Sequence, residues 1–248
     1  MQDKDMSVVE HLRELRTRIL LVIVPAIVLT VYFYYICPWI VKFLLAPVSG
    51  FKLGLMFTGI TDAFVTRLKL SFFSAVFVLS PWIMYQAIMF VGPGLTKKER
   101  QVLFKGLVSL SITFILGIAF GYFLLLPHLL TFLLTYGKSY MIPALLGDKY
   151  ISFIAVFCLI MGMTFALPVV FIFLGKLGLL SSGFLRKIRK YVIISIIAIE
   201  GLIIPTDDLF VFLYIGLPIM AFYELSIWVI HFMEKKKKRL MSNERISL

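Results

Sequence analysis

The run Ile19–Cys37, ILLVIVPAIVLTVYFYYIC, carries no charged residue. At 1.5 Å per residue it makes about 28 Å of helix, close to the ~30 Å hydrocarbon core of a bilayer. In hydrocarbon a backbone must satisfy its own hydrogen bonds, so a run of this length spans as a helix. Five more apolar runs follow, at about 70–91, 103–126, 151–175, 190–204 and 209–230. They predict an all-α integral membrane protein of six transmembrane helices, forming one polytopic domain over 1–248. The composition agrees, with 61% hydrophobic and 15% charged residues, against roughly half and a quarter in soluble domains. The first run ends in CPW, with no small-residue cleavage site, and is expected to persist as a helix rather than be removed as a leader.

The net charge of +12 is read through the rule that Lys and Arg collect on the cytoplasmic side. With a cytoplasmic N-terminus, nineteen of the 25 basic residues fall inside. This predicts a multi-pass protein of the cytoplasmic membrane with both termini cytoplasmic. It also predicts outer loops at 38–69 and 127–150 and a basic cytoplasmic tail at 235–248. Residues 37–48 read as a short interfacial helix, Thr61 as a helix cap, and Pro127 as the stop of the third span. Gly117 and Gly121 give that span a face of small residues. The apolar parts of spans five and six, Tyr191–Ile204 and Leu209–Phe222, make only about 21 Å of helix each. Such short spans thin the bilayer, admit water or shelter against neighbours.

Ahead of the first span lies SVVEHLRELRTR. Ser7 and Glu10 fit a capping box. Val8, Leu12, Leu15 and Ile19 form one apolar stripe, and Glu14 can pair with Arg18 at i,i+4. An amphipathic helix over 7–18 at the inner surface follows. It serves either as a basic membrane anchor or, because of its acids, as a dock for a basic ligand. The loop GPGLTKKER has a complete structural reading: a tight turn, then a helix capped by Thr96 with Glu99 at its third position. Alternatively, Glu99 and Glu14 together hold two arginines by bidentate contacts. Glu200 and Glu224 lie within spans, where a carboxyl group faces protein or water. They either line a polar cavity or partner contact, or stabilise packing.

Other function classes lack their residues. Cys37 and Cys158 have no spaced partner, and the three histidines are scattered, so no metal, cofactor or redox site is expected. No catalytic constellation, nucleotide-binding loop or nucleic-acid surface is apparent, and the chain is not expected to be an enzyme.

Several segments, in order, resemble the TatC family, the multi-spanning core of the twin-arginine protein translocase. They are HLRELRTR (11–18), FTGITDAF with LKLSFF, SPWIMYQAIMFVGPGLTKKER (80–100), FGYFLLLP, ALPVV, RKIRKY, PTDD and LPIMAFYELSI. The resemblance covers nearly the whole chain. It implies a receptor for signal peptides with two consecutive arginines, in a translocase that moves folded proteins on the proton-motive force. It implies six helices in a cupped arrangement with short helices five and six. Single-span partners of the TatA and TatB types, self-association and membrane lipid are the implied companions. Glu14 and Glu99 match the family's recognition glutamates. Arg16, Phe90 and His11 lie in the same matched motifs.

The chain also departs from the family pattern. Ala166 stands where a glutamate usually precedes LP in span four, and that glutamate is linked to the concave pocket and to partner contact. Glu200 is a candidate replacement. Asp208 matches the family aspartate after span five, and Glu224 is a further candidate pocket or partner residue. The rival readings are a small-molecule or ion transporter, for which inverted repeats are missing, and a non-transporting membrane scaffold.

Overall fold

The computed structural model describes residues 8–51, 54–91, 97–136, 144–176, 180–203 and 209–246. Side chains are described at 9–51, 54–90, 106–135, 144–176, 180–198, 213, 216–236 and 239. The helices are α1 (Val8–Leu45), α2 (Asp62–Val91), α3 (Lys97–Phe120), α4 (Leu126–Tyr136), α5 (Gly147–Lys176), α6 (Ser182–Ile203) and α7 (Leu209–Ile246). Five stretches among the described residues are long and apolar enough to cross a membrane: Val9–Phe51, Asp62–Phe90, Gly106–Thr135, Gly147–Lys176 and Gly216–Lys236. The expected fifth span, 190–204, is not among them, and its side chains from 199 onward lie outside the described residues.

The chain forms two compact units. One holds Met1–Leu107 and Leu130–Leu159, and the other Val108–Leu129 and Ile160–Leu248. In the first unit α1 and α2 pair antiparallel along their length. His11 lies beside Phe90, Arg18 beside Gln86, Leu21 beside Trp82 and Tyr34 beside Arg67. From Arg18 to Tyr34 is about 24 Å of helix, so polar contacts close both ends of an apolar hairpin. At the Tyr34 end, the Arg67 guanidinium sits 4.1 Å over the Tyr34 ring. It also donates to the Tyr34 carbonyl at 2.8 and 3.1 Å.

The expected interfacial helix over 37–48 is instead the end of α1, which continues past Pro38 to Leu45. A proline costs one donor and a bend. Breaking the helix in hydrocarbon would strand more backbone groups than that. The chain tightens into a 3₁₀ turn only at Ala46–Phe51, where Pro47 removes another donor. Thr61 stands at the expected cap position, its carbonyl accepting the Val65 N–H at 3.0 Å. The Asp62 carboxylate accepts the backbone N–H groups of Gly59 at 2.7 Å and Thr58 at 3.1 Å.

Two connections far apart in sequence meet through a short parallel pair, Leu55–Met56 with Leu145–Leu146, which period-based reading could not see. Beside it Lys69 pairs with Asp148, and the Tyr150 hydroxyl donates to the Leu44 carbonyl at 2.7 Å. The far end of α1, the start of α2 and the start of α5 are thereby fastened together.

The third span does not stop at Pro127. A π-helical turn at Gly121–Leu125 precedes α4, with the Leu126 N–H bonded to the Gly121 carbonyl. Proline would clash with the carbonyl four residues back and has no N–H to offer it. The wider π turn relieves both problems, and the helix runs on to Tyr136. Upstream, α3 meets α5 at two glycines. A Cβ on Gly117 would fall 2.5 Å from the Met161 carbonyl oxygen and 2.9 Å from Gly162 Cα. One on Gly162 would fall 2.8 Å from the Phe114 ring.

α6 and α7 form an antiparallel hairpin. Glu234 of α7 accepts the Ser182 backbone N–H at 3.0 Å and also its hydroxyl, so a distant carboxylate caps the start of α6. The buried Tyr223 hydroxyl donates to the Leu185 carbonyl at 2.7 Å. Leu185, Tyr223, Ile227 and Ile230 make the core of this hairpin, with Phe171 of α5 packed against it.

Candidate functional site

The amphipathic pattern of residues 8–19 becomes the first turns of α1 with no break before the span. α2 brings a matching row against it. Trp82, Gln86 and Phe90 recur every four residues and so share one face. Opposite them stand His11, Glu14 and Arg18 at i, i+3 and i+7.

Arg18 lies between two acceptors. Its Nη2 donates to Glu14 Oε1 at 2.8 Å, and its Nη1 donates to Gln86 Oε1 at 3.0 Å. The second Glu14 oxygen, Oε2, is buried and has no hydrogen-bond partner among the described residues. Gln86 is 3% exposed, so its amide is committed to this contact rather than to water. One helical turn away His11 stacks on Phe90, with ring centroids 4.4 Å apart and planes at 26°. On the membrane side the Trp82 indole N–H closes the row by donating to the Leu21 carbonyl at 2.9 Å. A half-buried carboxylate with one spare oxygen, beside a flat aromatic pair, suits a planar cation. A guanidinium can hydrogen-bond in its plane and stack on its face.

The expected site residues fall into groups. His11, Glu14 and Phe90 come together in this cluster. Arg16 is on the same helix but exposed. Glu99 occupies the first turn of α3, and its side chain lies outside the described residues. The expected Glu14–Arg18 pair forms. Gln86 and Trp82 were missed. Their signal was the four-residue spacing back from Phe90, inside a stretch already singled out for its sequence.

Of the expected pocket or partner residues, Ala166 is 7% exposed. The adjacent Phe165 packs on Phe120 and Phe222 at 5.1 and 4.2 Å between centroids. Glu224 lies 2.6 Å from Arg189 Nε. That is an ion pair by distance, though the N–H is not aligned as a hydrogen bond, and Glu224 Oε1 has no such bond among the described residues. The Glu200 side chain and all of Asp208 lie outside the described residues.

Residues 10–218 match the protein family described as TatC, Sec-independent protein translocase protein. The chain belongs to the TatC family. Its relatives include the TatC of Carboxydothermus hydrogenoformans, 33% identical over 96% of this chain and 98% of that one. They also include the TatC of Halalkalibacterium halodurans, 32% identical over 97% and 95%. TatCy of Bacillus subtilis is 28% identical over 99% and 96%. A crystal structure of a twin-arginine translocase receptor, TatC, aligns with a TM-score of 0.79 at 30% identity. It covers 90% of this chain and 99% of the solved one. A second crystal structure, of twin-arginine translocase receptor TatC in DDM, aligns with a TM-score of 0.78 at 29% identity, covering 89% of this chain and 99% of the solved one. The fold is thus the all-α, multi-helix TatC membrane fold.

Proposed function

We propose that this TatC-family chain is the receptor for twin-arginine signal peptides and the core subunit of a translocase for folded proteins. The observation that carries the reading is the Glu14 carboxylate. It is held at the α1–α2 hairpin end with one oxygen spent on Arg18 and the other without a partner among the described residues. A signal arginine would pair with that oxygen and lie near the His11–Phe90 stack. Glu99, in the first turn of α3, would take the second arginine, with Arg16 at the rim. Lysine at either signal position would offer a point charge without the planar fork. As a translocase subunit, the chain is not an enzyme.

The finer arrangement is supported by the sequence. Nineteen basic residues on one side favour six spans in the cytoplasmic membrane with both termini cytoplasmic. The cupped form with short helices five and six follows from the family likeness and the 14-residue apolar stretches. Partners are single-span subunits of the TatA and TatB types, with transport driven by the proton-motive force. Glu200, Ala166, Asp208 and Glu224 are the candidate pocket or partner positions. Glu224 reaches Arg189 within its own unit, which favours a packing role for it.

The test is export. Cells lacking their own TatC would express this chain with its cognate single-span partners and a folded reporter behind a twin-arginine signal. Export is expected with the intact chain. It is expected to fall to background when both signal arginines become lysine, or when Glu14→Ala and Glu99→Ala are combined. Full export by the double variant would mean that neither carboxylate reads the signal.

A further inference from the structure

The Glu14–Arg18 contact poses a problem that recognition alone does not solve. An arginine four residues along the same helix is well placed to take both carboxylate oxygens in a bidentate fork, the strongest geometry available to the pair. A receptor carboxylate filled in that way has nothing left for a signal arginine. In the structure that fork is not closed. One terminal nitrogen of Arg18 reaches Glu14 Oε1, and the other is turned to Gln86 Oε1 on the facing helix. Gln86 is buried, so no water competes for its oxygen. The outcome is a single-point pair and a spare, desolvated carboxylate oxygen.

We infer that Gln86 is a positioning residue for signal recognition: it holds Arg18 off the second oxygen of Glu14 and so keeps that oxygen open for an incoming guanidinium. The inference rests on the receptor reading proposed above and adds a residue and a role to it. Gln86 need not touch the signal. It acts through Arg18, and Arg18 in turn fixes the rotamer of Glu14.

The proposal separates two effects that a merely structural glutamine would not. Gln86→Met keeps the side-chain length and removes the acceptor. Arg18 then swings onto both Glu14 oxygens, and the receptor closes against its ligand. Gln86→Glu keeps an oxygen for Arg18 and leaves Glu14 open. Removing the competing arginine as well, in Gln86→Met with Arg18→Met, frees Glu14 again.

The measurement is equilibrium binding of a fluorescent peptide with two consecutive arginines to the purified full-length chain in detergent, with a two-lysine peptide as control. Gln86→Met should weaken arginine-peptide binding by roughly tenfold or more, the scale of one hydrogen bond to a charged group. Gln86→Glu should bind within about threefold of the intact chain. The double variant should recover most of the loss, a positive coupling between neighbours. If the intact chain prefers arginine and Gln86→Met binds equally well, the positioning role is wrong and the receptor reading stands. If the double variant binds no better than Gln86→Met alone, Gln86 is structural and the inference fails. If the intact chain does not distinguish the two peptides, the receptor reading fails and takes this inference with it.

Discussion

Gly117→Leu is expected to yield no folded protein from detergent extracts. The reason lies in what surrounds the missing Cβ. A carbon there would sit 2.5 Å from the Met161 carbonyl oxygen, 2.8 Å from Phe165 Cβ and 2.9 Å from Gly162 Cα. Two of these three atoms are backbone, and none can rotate away. α3 and α5 would have to separate by about a side chain's width. The cost exceeds the ~1–3 kcal/mol usual for an overpacked core, where side chains can shift. Helices in hydrocarbon gain little from burying apolar surface against each other, so close van der Waals packing is most of what joins them. Gly183→Ala makes the control, because nothing lies within 4 Å of that Cβ and alanine is the better helix former. Size-exclusion profiles and thermal unfolding in detergent would show a lost or aggregated peak for the first variant and an unchanged one for the second.

The sequence placed this glycine on a face of small residues together with Gly121. Gly117 makes a close approach to Gly162 on α5, and no periodicity within one helix can name a partner on another. Gly121, also buried, opens the π turn. Pro127 shows the same limit from the other side. Its chemistry is a reliable break signal in water. In a membrane, breaking the helix costs more than deforming it, and a π turn absorbs the proline. The hairpin of α1 and α2 was legible because both runs are long, apolar and antiparallel by connection. Its register was not, and register is what sets Gln86 against Arg18 and Phe90 against His11. The Glu14–Arg18 pair was visible because it is local. The Glu234 cap on Ser182, fifty-two positions away, was not.

Glu14→Ala is expected to reduce twin-arginine peptide binding by about a hundredfold. The lost contact is a charge-assisted hydrogen bond in a half-buried setting, on the order of 1.5–3 kcal/mol. A second effect adds to it. Arg18 is a half-buried cation whose ion pair is with Glu14. With the carboxylate gone it faces the incoming arginines as an unscreened like charge. Glu14→Gln separates the two contributions, since it keeps an acceptor oxygen and loses the charge. Its binding should fall between those of the intact chain and the alanine variant. Added salt should weaken the intact chain's binding more than that of either variant, because long-range attraction between charges is what salt screens. Fluorescence anisotropy titrations at two ionic strengths would give all of these values, with unchanged elution confirming that the variants fold.

The most direct test of the account is the affinity of the intact chain in detergent for two peptides that differ only in Arg-Arg against Lys-Lys. A carboxylate oxygen held open for a planar donor predicts saturable binding of the arginine peptide and at least tenfold weaker binding of the lysine one. Equal affinity for both would contradict it, because the site would then be reading charge alone and the Glu14–Arg18–Gln86 geometry would have no part in recognition.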